Sequence, residues 1–231
     1  MSNSDCGFKR ARRPEQVEER KRAILEVAAQ MLAEAPVVDI SLRELSTRVG
    51  LSKSNVLRYF ETREAIFLEI LEREQEAMLG EVAEQFEQLK AAGVVDVTRV
   101  ADVVATSLIA RPLLCELMSA MASVLERNIS VEFARGFKRR ASEKAERLAE
   151  LVRDVLPELS VHDAAHFAGV VHILVAGMWP YAHPTDAVCT VMGELGLQAP
   201  ADLFASYLKE GLTVQLLGLH ARSEQAVRPK V

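Results

Sequence analysis

The stretch SLRELSTRVGLSKSNVLRYFETREAIF, Ser41 to Phe67, reads as two short helices joined by a tight turn and followed by the start of a third. Ser41 can cap the first helix, and Glu44 three residues later completes a capping-box pattern. Leu42, Leu45 and Val49 give that helix one apolar face. Gly50 is the residue a sharp turn needs, because without a Cβ it takes positive φ at no steric cost. Leu51 then packs inward, Ser52 caps the second helix, and Val56, Leu57 and Phe60 are expected on its buried side. Lys53, Ser54, Asn55, Arg58 and Tyr59 are left pointing outward. A cation, a hydroxyl, an amide, a second cation and a phenol on one small face suit the major groove of DNA. Lys and Arg reach guanine edges or phosphates, Asn pairs with adenine, and Ser and Tyr bond phosphate oxygens. Apolar spacing alone would equally fit a solvated helix hairpin. The glycine turn, the two caps and the outward chemistry together favour a helix-turn-helix.

The segment resembles the DNA-binding domain of TetR-family transcriptional regulators, over about residues 18 to 75. Upstream, Arg22-Ala23-Ile24-Leu25 followed by Ala28-Ala29 is similar to the first helix of that family, which buttresses the helix-turn-helix. Downstream, Tyr59-Phe60-Glu61-Thr62-Arg63-Glu64-Ala65-Ile66 resembles its transition into a fourth helix. The resemblance implies DNA contacts from Ser41, Arg43, Ser52, Lys53, Ser54, Asn55, Arg58, Tyr59 and Arg63. It also carries departures. Leu57 stands where the family usually has a Tyr, which removes one common phosphate contact. Tyr59 replaces a usual His and Arg63 a usual Lys, while Ser54 and Asn55 replace Gly and Thr. The preferred bases therefore cannot be borrowed from relatives.

The net charge of −5 is unevenly spread. Residues 1 to 63 hold 12 Lys and Arg against 9 Asp and Glu, a balance of +3; the remainder holds 16 against 24, a balance of −8. DNA affinity follows local basic surface rather than the sum, and an acidic body discourages nonspecific sticking. Lys9, Arg10, Arg12 and Arg13 form a basic run that fits either a phosphate-seeking arm or a solubilising tail. Cys6, Cys115 and Cys189 lie far apart with no paired spacing, which argues against disulfides and zinc fingers and for a reducing compartment. There is no signal peptide and no uninterrupted apolar run of membrane-spanning length, so a cytoplasmic protein is expected.

Past residue 63 the pattern stays helical, making the whole chain all-α. The expected organisation is a flexible basic arm over 1–14, the helix-turn-helix domain over 15–62, a helical effector-binding and dimerisation domain over 63–220, and a flexible tail over 221–231. A long helix from Arg63 to about Leu89 links head to body. Further helices are expected at 97–109, from Pro112 to Leu125, from Ser130 to about Leu156, at 164–179 and at 201–219, with a loop at Gly193, Gly196 and Pro200. Lys138, Arg139 and Arg140 are expected to pair with Glu143 and Glu146. The helix at 164–179, capped by Ser160 with Asp163, is apolar nearly all round and is expected to be buried on every side. Its stripe of Ala165, Gly169 and Gly177 admits close approach of another helix. Together with Phe204, Tyr207, Leu208, Gly211 and Leu212 it reads as a homodimer surface forming a four-helix bundle, or else as the core of a monomer.

The resemblance implies a small-molecule pocket in the body. Met118, Met121, Phe133, Phe137, Met178 and Trp179 are its candidate walls and His166 and His172 its polar points, although the same residues describe an ordinary core. His162 and His166 have permissible metal spacing but no third ligand, so no metal and no cofactor are expected. No phosphate-cradling loop, nucleophile elbow or HExxH is present, and no catalytic residue is assigned. The favoured reading is a dimeric repressor released from a near-palindromic double-stranded DNA operator by a small hydrophobic effector. Its rivals are a helical carrier or sensor whose helix-turn-helix meets a protein, and a small helical enzyme.

Overall fold

The structure, a computed structural model, describes residues 14–227. Cys6 and the basic run at residues 9–13 lie outside them. Every regular element among the described residues is helical. The head comprises α1 (Pro14–Glu34), a single 3-10 turn (Val37–Asp39), α2 (Leu42–Val49) and α3 (Lys53–Val56). α1 buries Ile24, Leu25, Ala28, Met31 and Leu32, the i, i+1, i+4, i+7, i+8 spacing of one helical face. That face meets Leu45, Val56 and Phe60, all buried.

α4 (Arg63–Ala92) is the shared beam. Its 30 residues span about 45 Å. Thr62 caps it, Oγ1 accepting the Ala65 N–H at 3.1 Å, and Gly93 ends it in the left-handed region at φ 66°. Its first half buries Ile66, Phe67 and Ile70 and its second half Met78, Leu79, Val82 and Phe86, within one continuous core. Against α4 pack α5 (Val97–Ile109), α6 (Pro112–Ala120) and α7 (Val131–Val155); α8 (Val161–Ala182) packs on α6 and α7, and α10 (Pro200–Val227) on α5 and α8, with α9 (Asp186–Glu194) between the last two in sequence.

The structure departs from the sequence reading at several points. The helix expected from Pro112 to Leu125 is α-helical only to Ala120; Met121–Leu125 is a π turn. α9 falls where no helix was expected, and α10 continues through 221–227, so those residues are helical rather than a flexible tail. The extension is anchored. Asp163, only 6% exposed, accepts from Ser160 Oγ at 2.8 Å and Ser223 Oγ at 3.2 Å, and pairs with Arg222. A carboxylate buried to that extent needs such partners. Of the three basic residues at 138–140, Arg139 alone pairs along its helix, with Glu143 at 3.8 Å. Consecutive helical residues point about 100° apart. Lys138 therefore turns to Glu126 at 2.6 Å, and Arg140 crosses to both carboxylate oxygens of Glu72 at 2.9 and 3.0 Å.

α8 is not buried on every side. Phe167, Val171, Val175 and Trp179 face the core, whereas Ala165, Gly169, Ile173, Gly177 and Tyr181 form an exposed stripe. By length and composition α8 could cross a membrane, with a mean hydropathy of 1.3 over its most apolar window. Here it packs against α6, α7 and α10.

Candidate nucleic-acid interface and effector cavity

The head is built by its caps. Ser41 Oγ accepts the Glu44 N–H at 3.1 Å, while the Glu44 carboxylate turns to Arg48 at 3.6 Å, so the capping box is half made. Gly50 sits at φ 73° and donates its N–H to Thr47 at 3.1 Å, closing α2. Ser52 Oγ accepts the Asn55 N–H at 3.2 Å and starts α3. With Val56 fully buried, Lys53, Ser54, Asn55 and Arg58 are left exposed, as are Ser41, Arg43 and Ser52. No carboxylate among the described residues forms an ion pair with Arg43, Lys53 or Arg58. Unpaired cations and an amide on one exposed edge are the groups that meet phosphates and base edges.

Three head residues sit differently from expectation. Leu57 is 42% exposed rather than buried, because α3 ends after one turn and the next residue swings outward. Tyr59 is half-buried against the core. Arg63 is turned inward: its guanidinium donates to the Ile40 carbonyl at 2.6 Å and to Glu64 at 2.9 Å, fastening α4 to the loop before α2. A guanidinium used this way is a brace, not a free phosphate ligand.

Polar contacts also join head to body. Glu61 accepts the Ser130 N–H and its hydroxyl, both at 2.9 Å, and Asn128 Nδ2 donates to Glu64 at 3.4 Å. Glu116 on α6 takes the Val37 N–H at 3.4 Å with one oxygen and the Trp179 indole N–H at 2.9 Å with the other.

Beneath α4 lies a cavity of about 280 Å³. Met78, Leu79, Met118, Met121, Leu148 and Val171 supply apolar wall, and Gln75, Lys144 and His172 supply polar atoms. Burial holds His172 below the usual imidazole range, the Lys138 ammonium adding to the effect. Of the pocket residues expected from sequence, Met118, Met121 and His172 line it. Phe137 is in the core, Phe133 borders an open groove between α4 and α7, and Met178 packs on the core away from the cavity. Trp179 is engaged by Glu116 and by the edge of Phe204, ring centroids 5.0 Å apart. His166 points to solvent. Gln75 and Lys144 were missed: both look like solvent-face polar positions, and only the crossing of α4 and α7 brings them together.

The dimer residues divide. Ala165, Gly169, Gly177 and Tyr207 are exposed, but Phe204, Leu208 and Leu212 are buried within the protomer and Gly211 faces Leu174 of α8. α10 needs those residues to pack on its own α5 and α8, so they cannot also form an outer face. Its outward apolar residues are Tyr207, Val214 and Leu217. No group of three or more His, Cys, Asp or Glu side chains that could hold a metal is found among the described residues.

Comparison with known families is decisive. Residues 24–70 match the sequence model described as bacterial regulatory proteins, tetR family, and residues 72–223 match that described as tetracyclin repressor-like, C-terminal domain. The chain belongs to the TetR family of transcriptional regulators. No curated protein matches it. Solved TetR-like structures share its fold at low identity. The fatty acid degradation regulator FadR from Bacillus halodurans is 13% identical, with a TM-score of 0.56 over 92% of this chain and 98% of that one. A transcriptional regulator from Rhodococcus is 20% identical, with a TM-score of 0.52 over 88% and 95%. RolR in complex with resorcinol is 15% identical, with a TM-score of 0.56 over 95% and 98%. TetR-family regulators are DNA-binding proteins that take small ligands and act as dimers. The helix-turn-helix head and helical ligand-binding body described above are the two domains of such a regulator.

Proposed function

We propose that the chain is a cytoplasmic homodimeric repressor that reads a near-palindromic operator and is released by a small, largely apolar effector. The observation that carries this reading is the free polar edge of α2 and α3, with Arg43, Lys53, Asn55 and Arg58 exposed around a rigid, doubly capped turn. The DNA contacts are assigned to these four with Ser41, Ser52 and Ser54, and Tyr59 at their border.

Dimerisation is supported by what each protomer leaves uncovered. Ile173 and Tyr181 on α8 are 66% and 79% exposed, and Tyr207 and Val214 on α10 are 59% and 58% exposed. α9 buries none of its side chains and shows Val188 and Val191 to solvent. A nine-residue helix has little stability by itself, and a second copy over this face supplies the missing packing. Two heads would then reach successive major-groove faces about 34–36 Å apart, or a multiple of that.

Release is supported by the position of the cavity. Met121 belongs both to its wall and to the start of the π turn, a rare geometry frequent at functional sites. That turn runs on to Asn128 and Ser130, which hold Glu64 and Glu61 at the base of the head. An effector favouring one setting of this joint weakens operator binding by the same free energy, about 1–3 kcal/mol or 5- to 150-fold. That structural relatives include a resorcinol complex and a fatty acid regulator supports a small organic effector. No reaction is assigned to the chain.

The test is selection of bound fragments from the source genome. A recurrent near-palindrome bound by a dimer is the expected result. Weak binding without sequence preference, in folded and effector-free protein, would overturn the reading and bring forward a carrier that meets a protein.

A further inference from the structure

The groove between α4 and α7 opens onto the same residue, Lys144, that lines the cavity beneath it. Its charges can be matched one by one. Glu72 is held by Arg140 at 2.9 Å, Glu76 by Arg147, and Glu69 by Arg73 at 3.0 Å. Arg140, Lys144 and Arg147 lie at i, i+4 and i+7 on one face of α7. The outer two cross to α4, while Lys144 between them pairs with no carboxylate among the described residues. Three carboxylates are cancelled by three guanidiniums, and the ammonium is the excess charge.

Between Glu72 and Glu76 in the sequence of α4 is Gln75, which lines the cavity together with Lys144. Its Oε1 is buried and receives no hydrogen bond. A buried acceptor left without a donor costs free energy until something supplies one. The remaining wall is methionine and aliphatic carbon, with room for about nine waters at ~30 Å³ each, or a body of about ten non-hydrogen atoms.

We propose that the effector is an apolar carboxylic acid with a hydroxyl close to its acid group. The carboxylate pairs with Lys144 at the cavity mouth, the hydroxyl donates to Gln75 Oε1, and the chain fills the space among Met78, Met118, Met121 and Leu148. This rests on the reading of the cavity as the effector site. Lys144 and Gln75 are then the residues that set specificity, and the methionines adapt to the shape of the chain.

The experiment compares binding of 3-hydroxyoctanoate, octanoate and methyl octanoate to the full-length protein by calorimetry. The chains are matched, and the ester has neither charge nor donor. Octanoate is expected to bind about tenfold tighter than the ester, as a charge-assisted contact warrants, and 3-hydroxyoctanoate tighter still. Lys144→Met should erase the difference between acid and ester and keep ester binding. Gln75→Leu should erase the advantage of the hydroxyl. Thermal melting of each variant separates removal of one interaction from failure to fold, and Lys144→Gln gives a second uncharged side chain. Equal binding of octanoate and ester, or a preference that survives Lys144→Met, overturns the acid. A hydroxyl without advantage overturns the Gln75 contact. Failure of all three compounds to bind to folded protein that still selects an operator overturns the hydroxy acid and leaves the repressor reading standing, which is a different result from binding without discrimination.

Discussion

In the head, Arg43, Lys53 and Arg58 stand on the outer edge of α2 and α3 with no carboxylate among the described residues paired to them. In the body, Lys90 reaches Asp154 at 2.6 Å, Arg140 reaches Glu72, Arg147 reaches Glu76 and Lys209 reaches Asp102 at 2.7 Å, each pair joining two helices. The same residue types are thus available for a polyanion in one region and committed to internal joints in the other. The difference explains how a chain of net charge −5 can present a DNA surface. It also gives a way to recognise binding positions: a cation left unpaired where its neighbours on the same face are all paired. Lys144 is such a position in the body. Arg63 is the reverse case, a basic residue in the DNA-binding region used as a brace.

The strongest way to break this comparison is to remove Lys53 and Arg58 together. Operator affinity should fall by about 1.5–3 kcal/mol for each charged contact to phosphate that is lost, with the melting temperature unchanged; gel shift and thermal melting check both halves. Arg63→Ala should act the other way round. It removes charged hydrogen bonds to Ile40 and Glu64 from a nearly buried position, so stability should drop by about 1.5–3 kcal/mol in urea titration. Arg140→Met tests a paired body cation at a partly exposed position, for which an effect of about 0.2–1 kcal/mol on stability and none on operator affinity is expected.

The smallest effect concerns pH. His172 is held neutral by burial, so its folded pKa lies below that of the unfolded chain, which binds the proton first as pH falls through about 6.5. Stability should therefore decline below that pH until the folded form also protonates, and His172→Gln should flatten this part of the curve. A curve identical in the variant would show that His172 carries none of it.

How much of this could be read from the sequence depends on the range of the interactions. The caps at Ser41 and Ser52 and the turn at Gly50 act within three or four residues, and the helix-turn-helix they define could be read directly, as could the Ser160 cap of α8. Which side of α10 faces inward could not. Phe204, Leu208 and Leu212 share an arc with Tyr207 wide enough to serve either purpose, and only α5 and α8 decide between them. The cavity was legible in part, through its methionines. Its polar residues come from positions 75, 144 and 172, which no local pattern connects. α9 escaped notice because it buries nothing that would give it a periodic apolar face.

The most direct measurement is the salt dependence of binding to the selected operator, for the wild type, the Lys53/Arg58 double alanine variant and Arg140→Met. Each phosphate contact removed should lower the slope of log affinity against log salt by about one. A slope reduced by about two in the double variant and unchanged in Arg140→Met is the expected result. Equal slopes in all three folded proteins would contradict the assignment of the α2–α3 edge as the DNA surface.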